Sequence, residues 1–233
     1  VTILSAIKSV SLRTIGRPPS QVTAVFASAD RLMLELADLA NETAQAIAKE
    51  YDWRRLLTLQ SVAGDGVETS FALPADYDRM PATGRVMSSR FGAGLAPARD
   101  LDQWLDFGLR PFVGVTGRWI ILGGRFQVIP ALADGETAQF YYVSNKIVID
   151  NANVTKSAFT ADGDSFLLPE RLLVLGLIWQ WRSQKRLEYA EDMSNYQIAL
   201  AQEIKADKGS RMLYVGQPRI SDDFDVAHPP VIV

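Results

Sequence analysis

The stretch from Pro169 to Gly209, PERLLVLGLIWQWRSQKRLEYAEDMSNYQIALAQEIKADKG, is the one whose reading decides the fold. From Leu172 to Trp181 it is apolar except for Gly176 and Gln180. That run is about half the ~20 residues a bilayer-spanning helix needs, so it reads as a core helix. A proline is well tolerated in a first helical turn, which places the start near Pro169 and the end near Leu187. Trp179 and Trp181 point to opposite sides of this helix, and its leucines leave it no polar face. A helix apolar all round must be surrounded, either by its own domain or by neighbouring subunits. The second half changes character. Tyr189, Met193, Tyr196, Leu200 and Ile204 recur at three- and four-residue steps and draw one face of an amphipathic helix, which Gly209 ends.

Working outward, the N-terminus is also helical. Thr2 is placed to cap a first helix with Ile3, Ile7, Val10 and Leu12 inward, stopped by Gly16 and Pro18-Pro19. Ser20 is placed to cap a second, in which Val22, Val25, Phe26, Ala29, Leu32, Met33, Leu36, Leu39 and Ala40 form one stripe. Asn41 marks a bend or new cap before the helix closes near Glu50. Between the two helical ends the period drops to two. Leu57 and Leu59 alternate with polar residues, as do Val67, Thr69, Phe71 and Leu73, which predicts a hairpin around Gly64-Asp65-Gly66. Trp119–Leu122, Phe126–Ile129 and Thr137–Val143 predict a meander extended by Ile147–Ile149. The stretch between Gly84 and Gly117 is glycine-rich, with a short helical island at Leu101, Trp104 and Leu105.

Helices, then strands, then helices define an α+β protein. The expected domains are a helical bundle of residues 1–53 and 165–209, a β-rich insertion of residues 54–164, and an extended tail of residues 210–233. That tail carries Pro218, Pro229 and Pro230 and shows no helical period.

Composition narrows the function. At 233 residues, 48% hydrophobic and 22% charged, the chain has material for one large or two small globular domains rather than for disorder. Its formal charge of -3 gives no general attraction to nucleic acid or anionic membrane, so any DNA contact is local and transient. The absence of cysteine excludes disulfides, thiol nucleophiles and sulfur-ligated zinc. No secretory signal pattern opens the sequence, which predicts a cytoplasmic chain beginning where the sequence begins.

Catalytic residue types are scarce. The one histidine, His228, lies in the tail without the rigid support a general base needs. Neither a Gly-x-Ser-x-Gly elbow nor a phosphate-loop or dinucleotide glycine pattern is present. Asp76 with Asp78, Asp162 with Asp164, and Asp222, Asp223 and Asp225 are the carboxylate groups from which a glycan hydrolase could be built. Each sits in a turn context, where Asp commonly bonds its own backbone. Trp104 and Trp119 are candidate stacking platforms for a glycan-binding module. Arg182, Lys185 and Arg186 form a basic cluster at helical spacing, able to touch phosphate or to serve as a solvated face. No catalytic, cofactor-binding or metal-binding residue is assigned.

Several stretches together resemble a known family. They are Tyr51-Asp52-Trp53-Arg54, Leu73-Pro74-Ala75-Asp76-Tyr77-Asp78, the strand pair Gln127–Pro130 and Gln139–Asn145, and the late helix Gly176–Arg182 continuing through Tyr189 to Tyr196. In this order they resemble the head-to-tail adaptor (connector) proteins of tailed phages, the nearest type being the podovirus tail tubular protein A, or tail accessory factor. The resemblance implies a non-enzymatic virion protein assembled in the host cytoplasm, forming a dodecameric ring beneath the portal. Its helical bundle would make the ring, its β-rich part would face the tail nozzle or tail tube protein, and its tail would reach the portal. On that footing Trp179, Trp181, Tyr189, Met193 and Tyr196 are expected to pack the bundle or its neighbours. Tyr214, Phe224, Val231 and Ile232 are expected to anchor the tail on the portal, and Arg182, Lys185 and Arg186 to face a channel that DNA passes through. No cofactor and no membrane enter this reading. A head-completion protein of a long-tailed phage is the nearest structural alternative.

Overall fold

A computed structural model describes residues 2–92, 94–110 and 116–209. The fold is α+β, and the chain separates into two compact units, dividing after Leu57 and again after Tyr142.

The helical unit contains both ends of the described chain. Helix α1 (Ile3–Ile15) buries Ile3, Ala6, Ile7 and Val10, leaves Leu12, expected inward, exposed, and stops at Gly16, whose φ of 66° suits glycine. Thr2 precedes it without a side-chain cap bond; the Ile3 amide instead donates to the Asp164 carbonyl at 2.7 Å. Helix α2 (Arg31–Glu50) is capped by Asp30, ten residues later than the cap at Ser20 that the periodicity predicts. Residues 19–21 form one 3-10 turn, and the amides of Val25 and Phe26 donate to the Asp162 carboxylate at 3.0 and 2.9 Å. These amides are taken up by a distant side chain, so the helix waits for Asp30, which accepts from the Leu32 amide at 3.0 Å and pairs with Arg17 at 2.6 Å. Asn41 makes no bend. Inside the continuous α2 its side-chain amide both donates to and accepts from the Phe159 backbone, at 3.2 and 2.7 Å.

Helices α4 (Glu170–Gln184) and α5 (Ala190–Lys208) complete the unit, with Arg186 at φ 57° in the turn between them. The side of α4 toward α2 is very close. A Cβ added to Gly176 would lie 2.5 Å from Thr43 Cγ2, which explains the small residue in an otherwise bulky run. A small sheet, β10–β9–β11 (Thr155–Lys156, Val148–Ile149, Ser165–Phe166), belongs to the same unit. Residues 143–164, expected in the β-rich insertion, therefore lie with the helices. Val143, Ile147, Val148 and Phe159 are the reason, because all four are buried in the helical core.

The second unit holds two four-stranded sheets and one helix. In one sheet β8 (Thr137–Ser144) pairs with β1 (Leu57–Ala63), β3 (Tyr77–Arg79) and β4 (Val86–Ser88). The other has the order β2–β7–β6–β5 (Ser70–Ala72, Arg125–Ile129, Arg118–Leu122, Ala96–Pro97). The β6–β7 hairpin turns at Gly123 and Gly124, both at positive φ, with Arg118 opposite Ile129. The predicted hairpin of β1 with β2 does not form, and β8 does not continue the β6–β7 meander. Gly64 and Gly66 donate to the carbonyls of Glu136 and Leu132, each at 2.8 Å, so the glycine turn is held by the loop before β8. The chain thus changes sheets there instead of doubling back. Phe126 and Phe140, 4.7 Å apart, tie the two sheets through a core that includes Val62, Val128, Leu132 and Tyr142. Helix α3 (Leu101–Leu109) is capped by Asp100, buries Trp104, and exposes Leu101, Leu105 and Leu109.

Candidate assembly interface

The all-apolar helix is covered by its own chain: α4 packs against α1, α2 and α5, burying Leu172, Leu173, Leu177, Ile178 and Trp181. Of the two open readings of that helix, the described residues show an enclosing domain. Trp181 lies in the core with Lys185 Nζ 6.0 Å from its ring centre. On the other side Trp179 is half-buried, stacked 6.1 Å from Tyr196 and 6.4 Å from Tyr189. Tyr196, Leu200 and Ile204 of α5 continue onto the core, and burial, with Glu50 nearby, pushes the Tyr196 phenol up.

An open apolar and aromatic surface lies at the other end of the α5 stripe. Tyr189 and Met193 are 39% and 36% exposed, and Leu187 in the preceding turn is 50% exposed. Half of the predicted aromatic face is thus core and half is surface. The Trp179 indole N–H, at the border between them, has no acceptor among the described residues. In the sequence Leu187 enters only as the end of the late helix, not as a contact residue.

Two of the three basic residues are neutralised within the chain. Arg182 pairs with Asp192, and Lys185 with Glu35 at 2.7 Å. The Lys185 ammonium and the Arg31 guanidinium hold the Glu35 carboxyl below its usual range. Only Arg186 of the trio makes no ion pair among the described residues, so the cluster presents less net charge than its sequence suggests.

Of the carboxylates raised for hydrolysis, the four among the described residues each have a partner. Asp76 accepts from the Tyr142 hydroxyl at 2.8 Å, and Asp78 pairs with Arg79 at 2.8 Å. Burial and the Asp76 bond push the Tyr142 phenol up to about 12. Asp162 holds the Val25–Phe26 amides, and Asp164, only 1% exposed, binds Lys156 Nζ at 3.0 Å and the amides of Thr160 and Ala161. Burial works to raise the Asp164 pKa, but the Thr160 amide, the Lys156 ammonium and the Ala161 amide outweigh it and hold it low. These are structural ties. Of the stacking candidates, Trp104 is buried and Trp119 is half-buried, 5.9 Å from Phe126. Among the described residues no cluster of His, Asp or Glu could hold a metal, and no helix is long and apolar enough to cross a membrane. The tail residues Tyr214, Phe224, Val231 and Ile232, with His228, Asp222, Asp223 and Asp225, lie outside the described residues.

An α+β chain whose carboxylates serve its own fold, and whose open feature is an aromatic and apolar patch beside a helical turn, is built like an assembly component. Residues 1–223 match the family model of the SU10 adaptor protein, and the chain belongs to that family of phage head-to-tail adaptors. The family is a structural one, and membership places the chain among virion components of the capsid–tail junction. No curated protein matches the sequence.

Proposed function

We propose that the protein is one subunit of a homo-oligomeric ring, a dodecamer of the podovirus type, that joins the portal to the tail and encircles the DNA channel. The observation that carries this is the open patch of Leu187, Tyr189 and Met193 at the edge of the Trp179–Tyr196 stack. Large aromatic and Met side chains left exposed by a folded protomer are the residue types that protein interfaces favour. A neighbouring copy seated there would remove them from water. Repeated around an axis, that heterologous contact closes into a ring.

In this reading the helical unit forms the ring and the β-rich unit meets the tail nozzle or tube. Tyr214, Phe224, Val231 and Ile232 attach to the portal. Arg186 supplies a weak phosphate contact, suited to DNA that must slide. The glycan-hydrolase and glycan-binding readings find no support in the partners of Asp76, Asp78, Trp104 and Trp119.

Solution mass of the protein mixed with its portal tests the proposal. The wild-type chain is expected to assemble as a multimer on the portal. The Tyr189→Glu, Met193→Glu double variant is expected to keep its helical content and lose assembly by more than about tenfold, since two buried interface anchors each contribute on the order of 1–2 kcal/mol. Equal assembly by both proteins would remove this patch from the interface.

A further inference from the structure

Beside the α4–α5 patch, a second surface has the chemistry of a docking site. An open cleft between α1 and α4 is lined by Ser9 and Arg13 on one side and by Glu170, Arg171, Val174 and Leu175 on the other. Arg13 and Arg171 are exposed, and neither makes an ion pair among the described residues. Glu170, the one carboxylate of the wall, accepts from the Ser5 hydroxyl at 3.2 Å. The cleft therefore offers two guanidinium groups around an apolar floor of Val174 and Leu175. It suits a ligand with an apolar side chain flanked by carboxylates, because each guanidinium makes charge-assisted hydrogen bonds to such a group.

Outside the described elements the chain contains that pattern at Ser221-Asp222-Asp223-Phe224-Asp225-Val226; its other instances, Asp76-Tyr77-Asp78 and Asp100-Leu101-Asp102, are already built into the starts of β3 and α3. We infer that the α1–α4 cleft seats the chain's own segment Asp222–Asp225, with Phe224 on Val174 and Leu175 and the flanking aspartates on Arg13 and Arg171. The path is short. Near the end of α5, Glu203 and Asp207 line a groove together with Leu167, Leu168 and Pro169, the residues that lead directly into α4. The chain thus leaves α5 at Gly209 beside the end of α4 that forms the cleft. From Gly209 to Asp222 is 13 residues along the sequence, a tether that spans up to about 45 Å. Such a tether supplies the segment at a local concentration in the millimolar range, so a weak contact suffices and another copy competes poorly. One consequence rests on the adaptor reading. A seated Phe224 is unavailable to the portal, so attachment would require the portal to displace it from the cleft.

Hydrogen exchange of the full-length chain, without portal, tests the docking independently of the adaptor reading. Amides of residues 221–226 are expected to exchange about tenfold more slowly in the wild type than in the Arg13→Glu, Arg171→Glu variant, at the occupancy a millimolar local concentration gives. The difference is expected to shrink in high salt and to be independent of protein concentration. Adding Asp223→Lys and Asp225→Lys to the arginine variant is expected to restore protection, which a merely misfolded variant would not do. Identical exchange in wild type and arginine variant would overturn the inference. Protection that rises with protein concentration would also overturn it, because the segment would then be seated on another copy.

Discussion

Asp164 is the residue on which the most local structure depends. Its buried carboxylate binds the Lys156 ammonium, the Thr160 hydroxyl and two backbone amides, and the neighbouring Asp162 fixes the 25–26 loop. Asp164→Asn leaves Lys156 facing a neutral group and turns an NH2 donor toward groups that are themselves donors. It is expected to lower unfolding free energy by about 3 kcal/mol in denaturant titration, the scale of breaking a buried pair. Because the folded Asp164 pKa lies below its unfolded value, its contribution is complete above about pH 4 and is lost as pH falls through the lower folded value. The wild-type acid transition is therefore expected to be shallower in D164N. Tyr142 behaves oppositely. Its phenol is raised from near 10 to about 12, so its stabilisation is complete below pH 10 and disappears between roughly pH 10 and 12. Tyr142→Phe is expected to cost about 1–2 kcal/mol at neutral pH, the scale of a hydrogen bond to a charged acceptor, and to flatten the alkaline limb of a pH–stability curve. Gly176→Ala is expected to cost about 1–3 kcal/mol through overpacking against Thr43, read as a lowered melting temperature.

At the level of elements, what was legible followed from local periodicity. Helices α1, α4 and α5, the later part of α2 and the β6–β7 hairpin all announce themselves by spacing, and α1, α5 and the hairpin also by glycine at their ends or turn. What was hidden depends on residues far apart in sequence. The predicted helix from Ser20 fails because Asp162, 137 residues from Val25, takes its amides. The predicted β1–β2 hairpin fails because the 132–136 loop claims its glycine turn. The aromatic face of α5 was visible as a stripe, but period alone cannot say where a stripe stops being core, and here that point lies between Tyr196 and Met193. The basic cluster was equally visible, while the carboxylates that neutralise it, Glu35 and Asp192, emerge only from packing. Asp30 states the element-scale lesson as a test. Removing this cap and its contact with Arg17 by Asp30→Ala is expected to lower the melting temperature and to increase amide exchange in the first turn of α2, with the rest of the helix unchanged.

For the whole molecule, the central question is what a folded protomer leaves uncovered. The core of the helical unit is complete within one chain, so assembly cannot rest on an unsatisfied α4. The proposed contact is instead the smaller surface of Leu187, Tyr189 and Met193 beside Trp179. This predicts that a protomer folds stably alone and associates when a portal supplies a template, rather than needing partners to fold. The most direct measurement is a side-chain-resolution reconstruction of the adaptor bound to its portal. The account predicts Tyr189 and Met193 buried against the next copy in a closed ring; a ring in which both side chains still face water would contradict it.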